Sequence, residues 1–235
     1  MLVAAFLMMS ISGCSHTFLP AEDDLSGSVV NSPVEEGAIV LPEVAIEEDS
    51  VAEVLYKRVS YRRFSDRALD LSQVGNLLWA AGGLGVDGMT GATRTTPSAG
   101  ATYPLDIYLV AGRVEGLEPG IYRYDHLNHA LLPVVMEERR ELLAAAALGQ
   151  SFIADAPAIV ALVAHYVRTT ARYGERGERY VHMDAGYASQ NIYLQATHLG
   201  LGTVAVGAFD DSKVAEILST TGEPLLIMPV GLPSP

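Results

Sequence analysis

From Tyr180 to Leu199 the chain carries a long run in which small and aromatic side chains, Ala185, Gly186, Tyr187, Ala188 and Tyr193, fall on several sides of the helix they would form. A helix that is apolar on more than one face runs through the middle of a domain, often with a partner chain against the face left over. Layers must therefore be built around it. Pro157 to Ala164 is a continuous apolar strand, Leu105 to Ala111 alternates, and Gly120 to Tyr124, Ala130 to Val135, Val204 to Val206 and Leu225 to Val230 read as further strands. Apolar residues at helical spacing mark helices over 50–58 and 71–81, with Asp70 and Ser72 near the second start; Glu137 to Ala147 and Ser212 to Leu218 complete the set. A glycine run, Gly82-Gly83-Leu84-Gly85, ends the second helix, and a loop to about Tyr103 follows. Trp79 is read as core. The plan is α+β: a central, mainly antiparallel sheet flanked by helices, with the long central helix at a dimer interface.

Hydrophobic residues form 49% and charged residues 18% of 235, so the body can bury one large core. A formal charge of -13 sets up a field that repels polyanions, so nucleic acid is not an expected partner. The single cysteine, Cys14, excludes an intrachain disulfide and a multi-cysteine metal site. His126, His129, His165, His182 and His198 lack the spacing of a metal triad and are read as structural or surface groups, so no metal is expected.

Leu2 to Ile11 is apolar but too short to span a bilayer, and Ile11-Ser12-Gly13-Cys14 resembles a lipobox whose thiol receives a diacylglyceryl group. Residues 1–14 are thus expected to be a lipoprotein signal peptide, with Cys14 lipidated. Residues 15–49 are acidic, contain Pro20, Pro33 and Pro42, and read as a flexible tether ahead of a domain over 50–235. The expectation is an exported protein anchored to a bacterial membrane through lipid. Ser15, where an aspartate would signal inner-membrane retention, favours the periplasmic side of the outer membrane. A cytoplasmic protein is the alternative.

Three segments of the body carry chemistry. In Arg58-Val59-Ser60-Tyr61-Arg62 two guanidiniums flank a hydroxyl at a helix end, a donor set that suits a phosphomonoester and also a solvated basic helix end. Pro97-Ser98-Ala99-Gly100 lies in a loop of small residues that lets a flat ring approach backbone, or that simply turns. Gly200 to Asp210 is a glycine-rich passage from helix to strand; it lacks the strand-before, helix-after context of a dinucleotide fingerprint.

Taken in this order and at these separations, the three segments resemble the nitroreductase superfamily, and Pro97-Ser98-Ala99-Gly100 with Tyr103-Pro104-Leu105 is similar to its SagB-type dehydrogenase branch. Asp184-Ala185-Gly186, Gln190-Asn191 and Met228-Pro229-Val230-Gly231 add to the likeness, which covers about 50–232. The resemblance implies a nitroreductase-like fold and a homodimer with FMN at the subunit interface. Arg58, Ser60 and Arg62 would hold the FMN phosphate, with Val59 contributing backbone. Pro97, Ser98, Ala99 and Gly100 would line the ring from the partner chain, and Val206, Gly207 and Ala208 would approach its N5 edge. The implied function is FMN-dependent oxidoreduction, passing hydride or electrons to or from a small acceptor or a modified peptide, with NAD(P)H or another reductant as donor. Arg172 and Tyr173 occupy the segment where azoline-oxidising members carry a Lys-Tyr pair. Arginine stays charged where lysine can act as a base, so azoline oxidation is not implied. A catalytically decayed flavin-binding or scaffold lipoprotein is the alternative, prompted by Arg172 and Val59.

Overall fold

The computed structural model describes residues 39, 41, 42, 44–88 and 91–234, and the compact unit comprises Val44–Ser234. The lipobox at Cys14, the signal segment 1–14 and most of the tether 15–49 lie outside the described residues.

Helix α1 (Val51–Lys57) starts where the Ser50 hydroxyl accepts the Glu53 N–H at 3.1 Å. Helix α2 (Leu71–Gly82) opens with a reciprocal capping box between Asp70 and Gln73. A hairpin of β1 (Leu84–Gly88) and β2 (Gly91–Arg94) follows, then a single 3-10 turn (Ala99–Ala101). After β3 (Leu105–Ala111), β4 (Gly120–Asp125) and β5 (Ala130–Val135) come two short helices, α3 (Arg140–Ala146) and α4 (Phe152–Asp155). Next are β6 (Ala158–Ala164), α5 (Val167–Tyr173), α6 (Arg176–His198), β7 (Gly202–Thr203), α7 (Asp211–Leu218) and β8 (Glu223–Gly231).

Six strands form one sheet in the order β5-β4-β3-β6-β8-β7, and each neighbouring pair is antiparallel. Every residue of β6 is buried, because its strand neighbours lie on both edges and helices cover both faces. The period-two alternation of β3 and β6 sorts the core. Leu109, Val160 and Leu162 join α2 and α6 on one face, while Val110, Ile159, Ala161 and Val163 join α3 and α7 on the other. Each fully buried branched side chain contributes roughly 1.5–3 kcal/mol of apolar burial. The α+β architecture with a mainly antiparallel sheet is therefore as the sequence pattern indicates.

Several boundaries differ. The stretch read as a loop from Gly82 to Tyr103 contains the β1–β2 hairpin, fastened to the helix before it by the Trp79 indole N–H donating to Leu84 O at 2.9 Å. That contact draws Trp79 out of the core: it is 42% exposed. The segment around Arg172 forms α5, a helix whose Thr169 is buried and which Gly174 separates from α6. The long helix begins at Arg176, before Tyr180. Helix α3 begins at Arg140, not Glu137, because the Glu138 carboxylate accepts both Arg140 N–H, at 3.0 Å, and Arg140 Nε, at 2.9 Å. The strand expected at Val204–Val206 is displaced to Gly202–Thr203, and Val206 makes only an isolated bridge to Ile227.

Candidate functional site

At the end of α1 the Arg58 N–H closes the helix on Val54 O at 3.1 Å, and the chain then runs extended. Tyr61 N–H donates to Thr203 O at 3.0 Å, so Ser60 lies beside Thr203 in a short parallel bridge. The side chain that locks this junction is Tyr193 of α6. Its hydroxyl oxygen is 2.9 Å from Ser60 Oγ and accepts the Ala205 N–H at 2.8 Å, while its ring lies 5.3 Å from the Arg58 guanidinium carbon. Tyr61 closes the packing by lying on Gly202, where a Cβ would come within 2.7 Å of its ring. The basic segment and the glycine-rich passage, distant in sequence, are thus neighbours.

Val59, Ser60 and Arg62 are exposed and Arg58 is half-buried; neither arginine joins a carboxylate among the ion pairs of the described residues. Two guanidiniums and a hydroxyl left open to solvent can take an oxyanion. Val206 points into the core and trades backbone hydrogen bonds with Ile227, whereas Gly207 and Ala208 are exposed. Of that expected trio, Gly207 and Ala208 present an accessible surface and Val206 supports it.

The small-residue loop is organised by Asp184, a buried residue of α6. Ser98 Oγ donates to its carboxylate at 2.6 Å and accepts the Tyr103 N–H at 2.9 Å, and the Ala99 N–H adds a second bond to Asp184. Burial pushes the Asp184 carboxyl above its ordinary value, with those two donors acting against the shift. Gly100, Ala101 and Tyr103 all have positive φ, a strained backbone that needs such anchors. Thr102 Oγ1 donates to Ala99 O at 3.0 Å and lies 2.8 Å from the hydroxyl of buried Thr169 on α5. Asn191 Nδ2 holds the start of the loop by donating to Ala80 O and Thr95 O, each at 3.1 Å.

Arg172 and Tyr173 sit against this loop. Arg172 Nη1 donates to Gly100 O at 3.1 Å; the Tyr173 ring meets Tyr180 edge-on at 5.1 Å, and its hydroxyl faces Gly100. The fold therefore brings expected residues together in two places: Arg58 and Ser60 meet Tyr193, which also holds Ala205 just ahead of Val206–Ala208, while Ser98 and Ala99 are tied to Asp184 and Gly100 meets Arg172 and Tyr173. The two anchors lie about 14 Å apart along α6. The anchoring parts of Tyr193, Asp184 and Asn191 were not read from the sequence. Their signal was polar groups set among the small and apolar residues of a helix that packs one face on the core.

Residues 55–232 match the nitroreductase family. A protein of Methanocaldococcus jannaschii named for the nitroreductases is 49% identical over 193 residues, which cover 82% of this chain and 95% of that one. The chain belongs to the nitroreductase family. The microcin B17-processing protein McbC of Escherichia coli is 29% identical over 143 residues, 57% of this chain and 52% of McbC. Among solved structures, a Ralstonia eutropha protein assigned to the nitroreductases superimposes with a TM-score of 0.69 at 29% identity, covering 83% of this chain and 89% of that one. Membership accounts for the shared fold and the oxidoreductase class.

Proposed function

We propose that this protein is an FMN-dependent oxidoreductase that works as a homodimer. The observation that carries the reading is the junction at Tyr193, which meets Arg58 and Ser60 and holds the Ala205 N–H, at the head of the passage that leads to exposed Gly207 and Ala208. The donor set there fits the flavin nucleotide: charged forked donors and a hydroxyl for a phosphate, and side-chain-free backbone for a flat ring. Arg58, Ser60 and Arg62 would hold the phosphate, Val59 would add backbone, and Val206–Ala208 would lie along the ring. Bound FMN would accept two electrons from NAD(P)H or another reductant and pass them to an acceptor.

Support for the dimer comes from α6. Met183 and Tyr187, each 46% exposed, form an apolar stripe beside exposed Pro97. Pairing two copies across that stripe covers it and brings the Pro97–Gly100 loop of each protomer toward its partner. The loop would then line the partner's ring, with Arg172 holding Gly100 O in place and the Tyr173 hydroxyl available to donate a proton. A fixed cation at position 172 cannot serve as a base, so the substrate favoured here is a small electron acceptor or an anionic or modified peptide that needs no lysine base. The sequence similarity to McbC supports a place near the SagB-type branch. Lipidation at Cys14 and export to the periplasmic side of the outer membrane remain part of the proposal, supported by the Ile11-Ser12-Gly13-Cys14 sequence.

The deciding experiment is the visible spectrum of the full chain after reconstitution with FMN and gel filtration, beside the Arg58→Ala, Arg62→Ala double variant. A yellow dimer that turns colourless in the double variant is the expected result. A colourless monomer under all conditions would overturn the reading and leave a flavin-free binding protein.

A further inference from the structure

A second concentration of positive charge lies on the far side of the Pro97–Tyr103 loop, away from Tyr193. A cavity of about 350 Å³ is lined there by Arg94 from β2, Arg123 from β4, Arg168 from α5, His126 and Asp106. Three guanidiniums face one carboxylate. Asp106 engages Arg168 Nη1 at 2.7 Å and, from outside the cavity, His165 Nε2 at 3.0 Å. Burial raises the Asp106 carboxyl, but Arg168 and His165 more than offset it, so the group stays ionised and spoken for.

Arg94 has a different set of neighbours. Its guanidinium lies 4.5 Å from the centre of the Tyr103 ring, with Nη2 at 2.9 Å from His126 Nε2. Burial and the Arg94 charge both push His126 below its ordinary value, which leaves the imidazole neutral and able to accept that bond. Neither Arg94 nor Arg123 joins a carboxylate among the ion pairs of the described residues. Half-buried Arg94 and exposed Arg123 thus reach one concave place without a carboxylate bonded to either, Asp106 being engaged by Arg168, on a chain whose net charge is -13. Two guanidiniums that converge on one concavity attract an anion, and the burial of Arg94 strengthens that attraction.

We propose that this cavity is a binding site for a small oxyanion, a phosphate or carboxylate group, separate from the Arg58–Arg62 segment. Arg94 and Arg123 supply the charge and forked donors, and Arg168, already fixed by Asp106, closes the wall. The cavity shares its walls with the redox-site loop: Tyr103 and Thr102 line it, and one turn along α5 from Arg168 stands Arg172, which holds Gly100 O. An anion here would brace α5 against the loop that carries Pro97–Gly100.

The test is calorimetric titration of the full chain, without FMN, with inorganic phosphate and separately with citrate. Arg58→Ala, Arg62→Ala serves as the background, so that the other oxyanion donors are silent. Expected is saturable binding of at least one of the two anions in that background, weakened about tenfold or more by Arg123→Gln, as for loss of one charge-assisted pair. Lys213→Gln, on the opposite face of the sheet, should leave it unchanged. The tighter of the two titrations names the headgroup. Arg123 is exposed on its strand, so its replacement should not disturb folding, which the melting temperature checks. No binding of either anion, or binding that Arg123→Gln does not weaken, overturns the proposal. A failure of FMN reconstitution leaves these titrations interpretable.

Discussion

The hydroxyls of Ser60 and Tyr193 lie 2.9 Å apart although 133 residues separate them. The Tyr193 oxygen accepts the Ala205 N–H at 2.8 Å and shares a hydrogen bond with Ser60 Oγ in which either hydroxyl can donate; when Tyr193 donates, the Ser60 proton is free for an acceptor outside the protein. This short relay couples the basic segment to the glycine-rich passage, and it can be broken by removing one oxygen.

Tyr193→Phe keeps the ring beneath Arg58 but leaves the Ala205 N–H without its acceptor. The expected cost is about 1 kcal/mol in stability by urea unfolding, and roughly fivefold weaker FMN retention by fluorescence titration. Equal FMN affinity in the two proteins would show that Ser60 does not depend on Tyr193.

At Gly100, φ is +58°, and an added Cβ would overlap the Tyr173 hydroxyl and lie 2.9 Å from Arg172 Nη1. Gly100→Ala should destabilise the fold by about 1–3 kcal/mol through backbone strain and collision together. Combined with Tyr173→Phe, which removes the overlapping oxygen, part of that loss should return. The double-mutant cycle, read from unfolding midpoints, should therefore show positive coupling; strict additivity would place the Tyr173 hydroxyl away from the loop.

Asp184 gives a pH signature. Its folded-state pKa is raised, chiefly by burial, so the folded protein keeps this proton to higher pH than the unfolded chain does. The associated stability is fully present below the unfolded value and diminishes as pH rises through the folded one. Relative to Asp184→Asn, the wild type should be at its best in acid and lose ground as pH rises from about 4, the ordinary carboxylate value, through the raised folded one. Urea midpoints of the two proteins across that range provide the check; an advantage that grows with pH would mean that the Ser98 and Ala99 donors outweigh burial.

The two faces of α6 should separate core from interface. Ile192 is fully buried, and Ile192→Ala is expected to cost about 2–5 kcal/mol of stability. Tyr187 on the exposed stripe has no such burial. Tyr187→Ala should change the stability of a single chain by only about 0.5 kcal/mol while shifting gel filtration from dimer to monomer. An unaltered elution volume would count against pairing through this face.

Much of this protein is decided locally. The alternation of β3 and β6 and the Asp70 and Ser50 caps are each set by near neighbours along the chain, so the α+β class and most element positions follow from residue order alone, whereas α6, expected to be apolar on several sides, buries one stripe from Val181 to Ala196. The three segments to which the proposed chemistry is assigned are each compact in sequence: Arg58, Ser60 and Arg62 form one short run, as do Pro97–Gly100 and Val206–Ala208. What residue order leaves open is which segments meet. Trp79 is exposed with its indole N–H used on Leu84 O, and Thr169 of α5 is buried with its hydroxyl beside that of Thr102; both depend on contacts distant or hidden in the local pattern. The grouping of Ser60 with Tyr193, Ser98 with Asp184, and Arg94 with Arg123 and Arg168 is decided only when the sheet closes. Hydrogen-bond and charge energies act over a few ångströms, and only the tertiary fold sets those distances.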